Sequence, residues 1–261
     1  MIKTDIDKVK DVAKLLLKVP IKNIKESLFI SHPFYSSSVY PDTKNTGKFS
    51  KTNGLLMIVN DDEARKEVES QYEELINKST DVYSIIGLIT RPYRMQFYKL
   101  IMDYLSPKDY AELASFIWID CEFPSFQRVI TKNQWIKIFR TADKKYLMSS
   151  QELEYIDKLP NEFPIYRGVC TNASDANGLF GTWTGLSWTT NPQKAVWFAK
   201  RFNLKEQTVL KIEHFKKTDV LAYFDSRDEN EIVADLHIRS KKFNYCNQIK
   251  TVDFDSGGIY D

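Results

Sequence analysis

Phe163-Pro-Ile-Tyr-Arg-Gly-Val169 is followed by Gly185-Leu-Ser-Trp-Thr-Thr190 and then by Asp228-Glu-Asn-Glu-Ile-Val-Ala234. From Glu162 onward the chain reads as short strands bounded by Gly, Asn and Asp, expected at 165–169, 185–188, 208–213, 219–222, 231–236 and 249–254. One helix interrupts them. Thr190-Asn191-Pro192 is an N-cap and first-turn signal, after which Ala195, Val196, Phe198, Ala199 and Phe202 fall on one stripe. Upstream the pattern is helical, so helices come first and strands afterwards. That order predicts an α+β fold in which an N-terminal helical region precedes a strand-rich core.

Working outward, Thr4 and Asp7 mark the start of a lysine-rich amphipathic helix in which Ile6, Val9, Val12, Ala13, Leu16 and Leu17 recur at helical spacing before Pro20 stops it. Residues 31–53 read as a long loop, followed by a buried strand at 55–59 and an acidic helix at 62–77. Further helices are expected at 93–104 and, after Ser106-Pro107, at 110–118. These blocks divide into an accessory region of mixed helix and strand, 1–82, and a second domain, 83–261, with a helical lead-in at 83–160 and a β-rich core at 161–261. The basic 132–145 stretch and Glu122-Phe-Pro-Ser-Phe126 read equally well as a lid beside a cleft or as a solvated helix and loop. No internal repeat or low-complexity tract is visible.

With 261 residues, 43% apolar and 28% charged, the chain has the composition of an ordinary globular protein. Its formal net charge of +2 falls short of the strongly basic balance of dedicated nucleic-acid binders. Cys121, Cys170 and Cys246 are odd in number and lack C-x-x-C spacing, which argues against a disulfide framework or a zinc cage. The first residues lack the apolar core of a secretory signal, and Leu55-Leu-Met-Ile-Val59 is too short to span a bilayer. The expectation is a cytoplasmic protein without membrane association or bound metal.

The three C-terminal motifs carry the chemistry. A guanidinium at Arg167 can hold pyrophosphate oxygens in a bidentate fashion, and Gly168 lets a ligand or backbone come close. Alternation places Ser187 and Thr189 on one face of a strand and Trp188 on the other, and a small hydroxyl at Ser187 can bond a ribose or orient a carboxylate. In extended geometry Glu229 and Glu231 project from the same side, where two carboxylates can divide the work of glycosyl transfer. One stabilises an oxocarbenium-like transition state and the other handles the acceptor's proton. A pyridinium leaving group departs neutral, so no catalytic histidine is needed, and His32, His214 and His237 all fall outside the motifs. Taken singly, each motif also has a plain structural reading: a strand-end ion pair, a Ser/Thr-rich sheet face and a solvated strand edge.

In order and together, these motifs resemble the Arg-Ser-Glu class of mono-ADP-ribosyltransferases, the group of cholera-like and C3-like toxins, over residues 106–261 and most strongly over 163–235. The resemblance implies two packed antiparallel sheets with NAD+ as co-substrate in the cleft between them. It implies Arg167 at the NAD+ phosphate and ribose, with Gly168, Ser187, Trp188, Trp197 and Phe198 lining the cofactor site. Ser187 would brace Glu231, the catalytic glutamate on the nicotinamide-ribose 2′-hydroxyl. Glu229 would face the acceptor, aided by Tyr223, Phe224 and Arg227 in an acceptor-contacting loop at 222–227. The class usually shows Ser-Thr-Ser where this chain has Ser187-Trp188-Thr189.

The expected function is transfer of ADP-ribose to an intracellular macromolecule, protein or nucleic acid, by a toxin–antitoxin or phage-defence effector that an antitoxin or inhibitor protein restrains. The lysine-rich N-terminal helix and the aromatics Tyr223, Phe224 and Trp183 are compatible with contacting phosphate and stacking on an unpaired base. Two alternatives remain open: a catalytically silent nucleotide- or partner-binding module, and an NAD glycohydrolase in which water replaces the acceptor.

Overall fold

The structure, a computed structural model, describes residues 2–23, 29–41, 55–59, 61–121, 129–171, 185–201, 206–236 and 245–252. The chain separates into two compact units, Met1–Pro124 and Ser125–Asp261. The division falls downstream of the 82/83 boundary expected from the sequence. The helices between 82 and 120 belong with the N-terminal unit: the first helix packs on those at 82–88 and 91–101, and the latter packs on the one at 107–120.

The N-terminal unit contains α1 (Ile6–Leu17), β1 (Lys22–Asn23), β2 (Ile30–Ser31), β3 (Val39–Pro41), β4 (Leu55–Met57), α2 (Asp62–Lys78), α3 (Val82–Leu88), α4 (Arg91–Ile101) and α5 (Pro107–Asp120). The α1 cap is Asp5, whose carboxylate accepts the Lys8 amide at 3.1 Å. Thr4 is engaged elsewhere, donating to the Asp109 carboxylate and accepting the Ser106 amide. Val9, Ala13, Leu16 and Leu17 face inward, and α1 packs on α2, α3 and α4. Burial of a Val or Leu side chain there contributes roughly 1.5–3 kcal/mol. Within the expected loop, β3 pairs with β4, and β4 buries Leu56 while leaving Leu55 and Met57 exposed.

The C-terminal unit contains α6 (Lys132–Thr141), α7 (Lys144–Leu147), α8 (Ser150–Lys158), β5 (Glu162–Thr171), β6 (Ser187–Thr189), α9 (Pro192–Lys200), β7 (Glu206–Lys216), β8 (Val220–Phe224), β9 (Glu231–Ala234) and β10 (Lys250–Val252). Thr131 with Gln134 caps α6, and Ser149 with Glu152 caps α8, both as reciprocal capping boxes. The strands form an antiparallel sheet in the order β10-β7-β5-β6-β9-β8. Its continuity is uneven. The β5–β7 ladder runs from Glu162/Lys216 to Thr171/Glu206, whereas β5 and β6 share the single pair Tyr166↔Thr189. Among the described residues, two antiparallel halves, β10-β7-β5 and β6-β9-β8, therefore meet at one rung. Among the described residues, no helix is long and apolar enough to cross a membrane.

Candidate active site

Arg167 lies inside β5 opposite Leu210, and the strand runs on to Thr171, two residues past the 165–169 expected from the sequence. The glycine has a packing reason. A Cβ there would run into the Ala195 carbonyl and lie 2.5 Å from the Ala199 amide nitrogen and 2.8 Å from the Phe198 Cβ. Gly168 thus lets α9, not a ligand, come close to the strand. Tyr166, Val209, Ala195 and Ala199 make the small core beneath that approach.

Beyond Tyr166↔Thr189 the β5–β6 ladder stops, which leaves the Ser187 carbonyl without a strand partner on that side. The Arg167 guanidinium donates to it instead. A buried carbonyl needs some donor, and here a side chain supplies what the backbone does not. The rest of the guanidinium lies against Gly185, where any Cβ would collide with it. Burial pulls the Arg167 pKa below its ordinary value, while the Glu231 carboxylate pushes the other way. The cation is therefore held in a poorly solvated site within electrostatic reach of Glu231.

Register settles which groups share a face. Ser187 pairs with Val233 and Thr189 with Glu231, so Ser187, Thr189 and Glu231 lie on one side, as alternation predicted for the first two. Trp188 lies on the other side, 2% exposed, with its indole N–H donating to the Gly185 carbonyl at 2.8 Å. It is a core residue, and the expected cofactor contact through its ring does not hold. Glu231 opens β9 between Thr189 and Phe224 and is only 6% exposed. A carboxylate buried this deeply is costly unless nearby groups compensate it.

Glu229 departs from expectation. Asn230, between the two glutamates, has φ of 47°, and Asp228 has φ of 53°, both in the left-handed region. The Glu-x-Glu segment is therefore a turn leading into a strand, and the two carboxylates do not follow the alternation of an extended chain. The Thr189 hydroxyl donates to the Glu229 carbonyl at 3.1 Å, and the Glu229 carboxylate pairs with Arg227 at 2.8 Å. Arg227 is thereby placed at the residue expected to face an acceptor.

Tyr223 and Phe224, expected to contact an acceptor, are each 3% exposed inside β8. Tyr223 stacks on Tyr155 with ring centroids 4.0 Å apart, and Phe224 packs against Phe139. Neither ring presents a face to a base or a peptide, because β8 is buried along its apolar run. On α9, Trp197 is 54% exposed, with the Arg201 guanidinium 5.6 Å from its ring centroid. Phe198 is half-buried and meets Trp197 edge-on at 5.0 Å. The apolar stripe read from helical spacing includes Phe198 and omits Trp197, and Trp197 is the more exposed of the two. Trp183, Phe202 and His237 lie outside the described residues, as does the 122–126 segment.

Several supporting residues escaped the sequence reading. Gly185 clears the space for Arg167. Asp225 accepts the Asn230 amide at 3.0 Å, and its own amide donates to Glu152 at 3.0 Å. Asp235, buried at 4% exposure, pairs with Arg140. The Asp-Ser-Arg-Asp-Glu-Asn run at 225–230 was the available signal, since Asp and Asn cluster where a turn needs left-handed residues. Among the described residues, no group of three or more His, Cys, Asp and Glu side chains is arranged to hold a metal. Comparison with protein families, curated proteins and solved structures returns no match.

Proposed function

We propose that this chain is a mono-ADP-ribosyltransferase that moves ADP-ribose from NAD+ to a macromolecule, acting as a toxin–antitoxin or phage-defence effector. The observation carrying this reading is the adjacency of β5, β6 and β9, which brings Arg167, Ser187 and Glu231 to neighbouring strands. The Arg167 cation and Glu231 carboxylate also feel each other's charge. The set offers a dinucleotide a cation, a hydroxyl, and a shielded carboxylate that strengthens as an electrostatic partner because water is excluded; Ser187 and Glu231 share a face, while Arg167, next to the register partner of Thr189, reaches in from the opposite one.

In the proposed reaction Glu231 accepts a hydrogen bond from the nicotinamide-ribose 2′-hydroxyl and stabilises the cationic sugar as the glycosidic bond lengthens. Nicotinamide leaves as a neutral base. The acceptor atom forms the new bond to the ribose C1′, and its proton passes to Glu229 or to solvent. An amine or guanidinium acceptor suits Glu229, which already holds the Arg227 guanidinium. Burial of Tyr223 and Phe224 removes two of the aromatics that spoke for nucleic-acid stacking.

The deciding experiment incubates wild type and Glu231→Gln with NAD+ labelled in the adenylate phosphate and total lysate, then separates protein, RNA and DNA. Label in one fraction, at least a hundredfold weaker with the variant, is the expected result. Label that stays small identifies a glycohydrolase, and equal label in both preparations removes Glu231 from the chemistry.

A further inference from the structure

We propose that Asn230 is a positioning residue that fixes Glu231 through a side-chain bridge to Tyr223 and Tyr155. The left-handed backbone of Asn230 turns the chain directly into β9, so Glu231 inherits whatever orientation Asn230 is held in. Three hydrogen bonds hold it. Its amide N–H donates to the Asp225 carboxylate at 3.0 Å, and its side-chain nitrogen donates to the Tyr223 hydroxyl at 3.1 Å and to Asp225 at 3.2 Å. Both donors of the carboxamide are thereby used.

The bridge continues to the other side of the same strand pair. The Tyr223 ring lies flat on Tyr155, 4.0 Å away with 12° between planes. The Tyr155 hydroxyl bonds the Thr190 hydroxyl at 2.7 Å, next to Thr189, the register partner of Glu231. Thr189 in turn donates to the Glu229 carbonyl. The result is a closed ring, Thr189–Thr190–Tyr155–Tyr223–Asn230–Glu231–Thr189, with α8 as its outer brace. Glu152 of the same helix accepts the Asp225 amide, so the turn and the strand end hang from one helix.

Asparagine meets both demands at this position. It tolerates the left-handed backbone and supplies two N–H donors, whereas aspartate would supply none and would set a second charge against Asp225. Glycine keeps the backbone and loses the bridge. Tyr223→Phe keeps the stacked ring and loses only the hydroxyl acceptor.

The kinetic arm of this inference rests on the transferase reading; the structural arm does not. In Asn230→Gly and Asn230→Asp, kcat should fall at least tenfold with KM for NAD+ within twofold of wild type. Tyr223→Phe should fall in the same way, and the Tyr223→Phe/Asn230→Gly double variant should be no slower than the slower single. Independently of activity, amide hydrogen exchange at Glu231 and Ile232 should speed up at least tenfold in Asn230→Gly while Leu210 and Ile212 in β7 stay unchanged. Unchanged exchange at Glu231 overturns the inference, as does a uniform loss of protection across the sheet or a rise in KM without a fall in kcat. A wild type that consumes no NAD+ overturns the transferase reading instead, and the exchange result alone then decides on Asn230.

Discussion

The guanidinium of Arg167 holds the Ser187 carbonyl and rests on Gly185, so one side chain joins two strands and carries the charge proposed for NAD+. The motifs named Arg167, Ser187 and Glu231 by residue type and order, and the structure sets them on the neighbouring strands β5, β6 and β9. Glu229 was misread because alternation assumes extended backbone, and a single left-handed residue at 230 breaks it. The N-terminal unit offers a residue-level test of another kind. His32 is 1% exposed, its Nε2 lies 2.9 Å from the Val19 carbonyl, and its Nδ1 accepts the Phe34 amide. That arrangement specifies the neutral ring, and burial lowers the pKa from 6.5 to about 4 despite the opposing pull of the Val19 carbonyl and Glu69. Between those two values the unfolded chain binds the extra proton and the folded one does not. Stability from this group is therefore present above pH 6.5 and is lost as pH falls towards about 4, by on the order of 3 kcal/mol. Urea unfolding from pH 7 to 4 should show the decline, and His32→Gln should flatten it; equal declines in both would reject the assignment.

At the level of elements, α9 and β5 are built around the absence of one side chain. Their existence was readable from Asn191-Pro192 and from the apolar run of 163–169, while the closeness of their approach was not. Nothing in a Tyr-Arg-Gly triplet distinguishes a glycine that admits a ligand from one that admits a helix. Gly168→Ala forces α9 back or bends β5, since its Cβ meets backbone atoms of Ala195 and Ala199 that cannot swing aside. Overpacking of this kind costs about 1–3 kcal/mol. The melting temperature of Gly168→Ala should drop by several degrees, and activity should fall through displacement of Arg167 next to it. A variant as stable as wild type would mean that α9 is free to move away. The same reasoning explains why strand existence was legible and burial was not. Val220–Phe224 is an apolar run in any reading, but only the structure, with Tyr155 stacked on Tyr223 and Phe139 against Phe224, shows that Leu221–Phe224 are all buried.

Across the whole molecule, the helical character on both sides of residue 124 hid the division between units. Helix follows helix from 62 to 158, and only packing shows that α5 closes the first unit while α6 opens the second. Fragments 1–124 and 125–261 should each give a cooperative thermal transition by circular dichroism. A fragment that begins at residue 83 leaves α3 and α4 without α1, which packs on both, and should carry a broad, non-cooperative segment or aggregate. If 83–261 melts as sharply as 125–261, the helices of 83–120 do not depend on α1. Within the second unit the sheet has an uneven strength. Among the described residues its halves are laced along their lengths, yet the strands across the seam share the one pair Tyr166↔Thr189, reinforced by the reach of Arg167 and by α9, which packs on both β5 and β6. Mechanically, that makes two stiff plates with a single backbone rivet. A load drawn across the sheet concentrates at the rivet, so the first rupture separates β5 from β6 and bares the Ser187 carbonyl while every other strand remains in register.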